Sequence, residues 1–209
     1  GFAGTQLTGL TATQLGLLTT TDALEFNSTQ LGALTTTQFN ALTTDAIGAF
    51  TATQARGLTV GQLAGLTSTS VNAFSTTALG GLTTTQARSF TSTQVAGINE
   101  TAAAGFTSTQ LGALTNTQLA AFTTTSFNAF TSTQVRGITS TQIVALTATQ
   151  LGGLTTTDVD EFTSTQLRGL TSTQVGALGE TNFSEFSATQ VSGFAGTQLT
   201  GLTATQLGL

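Results

Sequence analysis

The sequence predicts an all-α solenoid, a superhelix of very short helices with one helix per eight residues and about 3.4 octads in each turn. Three observations carry this reading. From Ala3 the chain divides without insertion or deletion into 26 octads of consensus TxTQLxGL, the last cut short at Leu209. The consensus octad holds a complete helix-start signal. The departures from the consensus recur with a period of their own.

Position 1 opens the element. It is Thr in 18 of the first 24 octads, and Ser75, Ser187, Asn27 and Asn99 also suit an N-cap, whose side-chain oxygen takes an amide hydrogen of the first turn. Gln at position 4, present in 16 of these octads, stands at the capping-box spacing, from which its side chain reaches back to the cap amide. Apolar residues before the cap and at the fifth position, such as Leu10 with Leu15 or Phe106 with Leu111, then make a hydrophobic staple.

Position 7 closes the element, being Gly in 10 and Ala in 9 of the 24 octads. Gly followed by an apolar residue predicts a left-handed Schellman cap. Ala fits that conformation poorly, so close packing is the competing reason for small residues there. Helices of one to two turns follow, each ending at a corner that begins the next. Positions 5 and 8, apolar throughout the 24 octads, are the expected core.

A single long helix is excluded because eight residues advance about 800° and the apolar pair would drift roughly 80° per octad. A β-solenoid is the rival, since Thr, Val and Phe favour strands. Its stacked coils require a whole number of octads per coil, whereas the departures point to a fractional one. Gln is absent from position 4 in octads 3, 6, 9, 10, 13, 16, 20 and 23, seven clusters in 24 octads and roughly 27 residues per cycle. The whole chain, 1–209, therefore reads as one uninterrupted solenoid. Residues 193–209 repeat residues 1–17 without change and begin a second 192-residue macro-repeat. Nothing at Gly1 has the pattern of a secretory leader, and the chain reads as starting inside an array.

Composition bounds the function. The chain has no Cys, Met, His, Trp, Tyr or Pro, its four basic residues are all Arg, and its net charge is -5. No thiolate or disulfide chemistry is available, and an acidic surface argues against nucleic acid. No apolar run is long enough to suggest a membrane span. Without His or Lys there is no base to activate the abundant hydroxyls, so the expectation is a protein that is not an enzyme and takes no cofactor.

The charged residues are the candidate surface. On the 3.4-octad cycle the acids Asp22, Glu25, Asp45, Glu100, Asp158, Asp160, Glu161, Glu180 and Glu185 fall in one sector, a strip that could meet a partner. Asp158, Asp160 and Glu161 together are candidate calcium ligands, against the plainer reading that Asp at position 4 replaces Gln in the capping box. Arg56, Arg88, Arg136 and Arg168 fall in a second sector. They could contact a partner or make salt bridges between turns, Arg136 lying four octads after Glu100 and three before Asp158. Thr at position 3, in 22 of 24 octads, gives a TxT array that resembles the ice-binding strands of some β-solenoid antifreeze and ice-nucleation proteins. Its plainer role is hydrogen bonding for backbone groups that short helices leave unpaired.

Thr/Gly/Ala-rich, acidic tandem arrays free of Cys and Lys resemble the repeat regions of giant secreted or surface-attached bacterial adhesins and extracellular filaments. The resemblance implies an extracellular or cell-surface location and a spacing or load-bearing role as stalk, fibre or matrix component. Self-association, end to end or laterally, is the expected partnership, with a ligand-binding solenoid for ice or polysaccharide as the alternative.

Overall fold

A computed structural model describes residues 4–208. It contains 25 α-helices of four to six residues, one in each octad from the first to the twenty-fifth, and no strand among the described residues. Helices are numbered here by their octad. The β-solenoid alternative is thereby overturned, and the reason is local: the cap and the glutamine commit each octad to a helical turn before any strand pairing is available.

The N-cap residues sit in extended geometry, as at Thr51 (φ -75, ψ 163), with Leu178 before the helix Gly179–Ser184 the exception at ψ -20, and the next residues turn into α. Every octad from 2 to 24 that has Thr, Ser or Asn at position 1 and Gln or Asp at position 4 forms the reciprocal box. The expected left-handed stop does not occur. Among the described residues only Gly179 and Gly208 have positive φ, while Gly57 and Gly97 at position 7 lie at φ -73 and -92. The helix ends because the next start extends the chain: Phe74 (ψ 140) and then Ser75 (ψ 154) turn the corner together.

The chain divides into two compact units, 1–106 and 107–209. In the first, α3 (Thr20–Leu24) packs on α6 (Thr44–Gly48), α6 on α9 (Ser68–Ala73), and α7 (Ala52–Arg56) on α10 (Thr76–Gly81). Helix α9 also meets α13 (Glu100–Ala103), four octads on. In the second, α14 (Ser108–Ala113) packs on α17 (Ser132–Arg136), α17 on α20 (Thr156–Asp160) and α20 on α23 (Gly179–Ser184). Contacts at three octads, joined by others at four, mean that a turn of each solenoid holds between three and four octads, which brackets the 3.4 expected.

Positions 5 and 8 fill each interior. In the first unit Phe39 is fully buried, with Phe50 and Phe74 at ring-centre distances of 5.8 and 6.0 Å. In the second, Phe130 lies between Phe122 at 5.1 Å and Phe127 at 5.4 Å, both edge-on. Each such side chain contributes about 1.5–3 kcal/mol of burial. Small residues at position 7 serve close approach: a Cβ on Gly105 would come within 2.9 Å of the Thr76 Cα, and one on Gly65 within 2.6 Å of the Thr36 methyl.

Candidate functional site

The side chain that ties one turn to the next is the glutamine at position 4. In octad 7 the Gln54 Oε1 accepts the Thr51 amide at 2.9 Å, and the Thr51 hydroxyl accepts the Gln54 amide at 3.3 Å. The other end of the same side chain points the opposite way. Its Nε2 donates to the carbonyls of Ala23 at 2.9 Å and Phe26 at 2.7 Å, four octads back. The Phe26 carbonyl lies past the helix end, and the Ala23 carbonyl, which also accepts the Phe26 amide at 3.4 Å, has a second lone pair to offer. One amide group therefore caps the start of its own helix and the end of another, and only this orientation of its oxygen and nitrogen satisfies both neighbours.

The arrangement repeats. Gln94 joins Thr91 to the Leu63 and Leu66 carbonyls at 2.8 and 2.7 Å, and in the second unit Gln142 reaches Leu111 and Leu114, both at 2.8 Å. The glutamines are sealed in the interface, Gln94 being 5% exposed and Gln142 2%. Among the described residues no buried side-chain nitrogen or oxygen lacks a partner. Sequence reasoning found the cap half of this role and missed the strut half.

In octads 9 and 13, which lack glutamine at position 4, an asparagine four octads earlier supplies the missing acceptor. Asn40 takes the Thr67 amide at 3.1 Å and the Ser70 hydroxyl at 2.8 Å, and donates to the Gly65 carbonyl at 3.0 Å. Asn72 likewise takes the Asn99 amide at 3.0 Å, beside Ala102, and donates to Gly97 at 2.8 Å. The signal was present in the sequence. Asn occupies position 6 only in octads 5, 9 and 16, each four octads before one without Gln.

The acids occupy several kinds of place. Asp22 and Asp158 replace Gln in the box: the Thr19 amide and hydroxyl meet Asp22 Oδ2 at 2.8 and 2.7 Å, and those of Thr155 meet Asp158 Oδ2 at 3.0 and 2.6 Å. The Thr19 hydroxyl, then its amide, hold the Asp22 carboxyl below the usual aspartate range. Asp158 is 5% exposed. Asp45, Glu100 and Glu180 lie in the first turns of their helices, where negative charge suits the dipole. Glu25, Asp160 and Glu185 are exposed. Asp22 and Asp45 are on helices that pack directly, and Asp158 and Glu180 likewise in the second unit. The trio Asp158, Asp160 and Glu161 does not converge, for Asp158 turns to its own cap and Glu161 to Arg136. No group of three or more acids among the described residues could hold a metal ion.

The arginines reach across turns. Arg136 pairs with Glu161 three octads on. Arg56 and Arg168 donate to the backbone carbonyls of Gly81 at 2.9 Å and Gly193 at 3.1 Å, also three octads on. Arg88 is exposed at the C-cap of α11 (Thr84–Ala87). Threonine at position 3 departs from its expected role. Every described one is exposed, and of their hydroxyls only that of Thr141 meets a described partner, the Thr139 hydroxyl at 3.0 Å. Backbone satisfaction falls to positions 1 and 4 instead. No helix is long and apolar enough to cross a membrane among the described residues. A scan against protein-family models finds no match to this chain and a search of curated proteins finds none either, so the functional reading rests on the ladder of glutamines.

Proposed function

We propose that this chain is a segment of an extracellular structural filament, an adhesin stalk, fibre or matrix component that spaces or assembles rather than catalyses. The observation that carries the reading is the strut. Buried glutamines in both units couple backbone to backbone across a turn, as Gln94 couples Thr91 to Leu63 and Leu66, so load on one turn is passed to its neighbour through hydrogen bonds shielded from water. Phenylalanine and leucine occupy the interiors where a binding cleft would otherwise lie. The resemblance of the array to bacterial adhesin and filament repeats supports the extracellular setting. Electron microscopy of native material labelled with an antibody to the octads tests it: decorated surface fibrils are expected, and label confined to the cell interior would overturn the proposal.

One observation favours a second reading. The position-3 threonines present exposed hydroxyls and methyls that the fold does not use, a surface suited to ice or a polysaccharide. A thermal-hysteresis assay separates the two, since clear activity would assign the threonine surface a ligand.

A further inference from the structure

Three of the seven asparagines have Ser or Thr two residues on: Asn27 with Thr29, Asn99 with Thr101 and Asn182 with Ser184. That spacing is the acceptor pattern for N-linked sugar wherever the middle residue is not Pro, and the chain has no Pro. The fold treats the three differently. Asn27 and Asn99 are exposed at position 1, and each caps its helix through oxygen: the Asn27 Oδ1 accepts the Gln30 amide and the Asn99 Oδ1 the Ala102 amide, both at 2.9 Å. The amide nitrogen at the other corner of each side chain has no acceptor among the described residues. Thr29 and Thr101, at position 3, are exposed, and their hydroxyls bond nothing described. Asn182 differs in each respect. It is 7% exposed at position 4, its Nδ2 donates to the Leu154 carbonyl at 2.8 Å, and the Ser184 hydroxyl donates to the Thr181 carbonyl at 2.8 Å.

We propose that Asn27 and Asn99 are N-glycosylation sites and that Asn182 is left bare. The proposal rests on the extracellular reading, because N-linked sugar belongs to secreted chains. The donor is an oligosaccharide held on a diphosphate carrier. In the transfer Nδ2 bonds to the anomeric carbon of the sugar, and the bond from that carbon to the diphosphate oxygen breaks. The diphosphate leaves with the electron pair, and Nδ2 gives up one of its two protons. The carbonyl Oδ1 takes no part and remains an acceptor, so the Gln30 and Ala102 amides keep their caps. The acceptor of the sugar is the nitrogen alone, since the helix end is already satisfied by the oxygen. Capping does not by itself call for Asn at these places, for Thr does the same work in 18 of the first 24 octads. At Asn182 the same bond would set a sugar between two packed turns, where the side chain is buried and its nitrogen engaged.

Peptide mapping of native material by mass spectrometry, before and after an amidase that cleaves glycosyl-asparagine in heavy-oxygen water, reads all three sites. Sugar is expected at Asn27 and Asn99, each becoming a labelled Asp on treatment, and none at Asn182. Thr29→Ala, produced in the source cells, should abolish the sugar at Asn27 and leave that at Asn99. Once the sugar is removed, its thermal melting should match that of the parent chain treated alike, because the Thr29 hydroxyl holds nothing in the fold. A bare Asn27 or Asn99 in material that labelling places on the cell surface overturns the proposal and leaves the filament reading standing. An occupied Asn182 in folded chains overturns the selection of sites by the fold. Bare asparagines together with label confined to the cell interior overturn both the sites and the extracellular reading.

Discussion

Octads 12 and 13 are neighbours in the first unit that meet one need from opposite sides. In octad 12 the amide of Thr91 is accepted by its own Gln94, which also reaches down to two carbonyls of octad 8. In octad 13 position 4 is Ala102, and the amide of Asn99 is accepted from below by Asn72 of octad 9. The bond to the cap is kept while its owner changes, and the two-carbonyl strut is given up. A small buried residue then sits where the glutamine would be. The requirement is thus carried by the interface between turns, and the sequence has two ways to meet it.

Substitutions that separate the two solutions order themselves by how many buried groups they strand. Gln94→Ala leaves the Thr91 amide and the Leu66 carbonyl without their partner and takes from the Leu63 carbonyl one of its donors, the Leu66 amide remaining, and should cost about 2 kcal/mol in urea denaturation. Asn72→Ala strands one amide at a more open site and should cost about 1 kcal/mol by the same measurement. Adding Ala102→Gln to that variant should recover most of the loss, because the octad then owns its acceptor. A double variant no more stable than Asn72→Ala would break the equivalence.

Asp158→Asn tests the strut without disturbing the cap. Asn182, at the same position of octad 23, already donates to the Leu154 carbonyl at 2.8 Å, so Asn at 158 should gain a similar bond and up to about 1 kcal/mol in thermal melting. Arg136→Ala should change stability by less than about 0.5 kcal/mol, since its pair with Glu161 is exposed and screened. Asp22 adds a dependence on pH. Its carboxyl is held low in the folded state, so its contribution is complete above the unfolded value of about 3.9 and is lost as pH falls through the lower folded one. Acid titration of the melting temperature should show a loss as pH falls from about 3.9 toward the lower folded value, and Asp22→Asn should flatten it.

Much of the fold is legible because the decisive contacts are local. Thr and Gln three residues apart specify a helix start wherever they occur, and the spacing of the octads without Gln yields the fractional turn. Two things were not legible from one octad. The glycine at position 7 looks like a left-handed stop, yet Gly57 and Gly97 are ordinary helical residues placed for close approach, and the extended residues at positions 8 and 1 make the corner. The strut is hidden for a different reason: its acceptors are backbone carbonyls some thirty residues away, which leave no trace in side-chain identity. Asn40 and Asn72 do leave one, since side chain answers side chain at a fixed distance of four octads. For the charged residues the sequence placed the acids by octad, but whether each capped, paired or faced solvent depended on rotamers that spacing does not determine.

The Asn40 compensation also constrains how such a gene can change. Deleting a single octad between octads 5 and 9 would leave every helix its own start signal, and each codon block would still read as a sound repeat. It would nevertheless set Gly32 in place of Asn40 opposite Thr67, and the cap amide of octad 9 would lose its acceptor. Unequal crossing-over is thus penalised unless it removes or adds lengths that preserve the pairing, and a step of 24 octads does so. The repeat that is simplest to copy is the octad, but the one that can be gained or lost without mismatch is the 192-residue block.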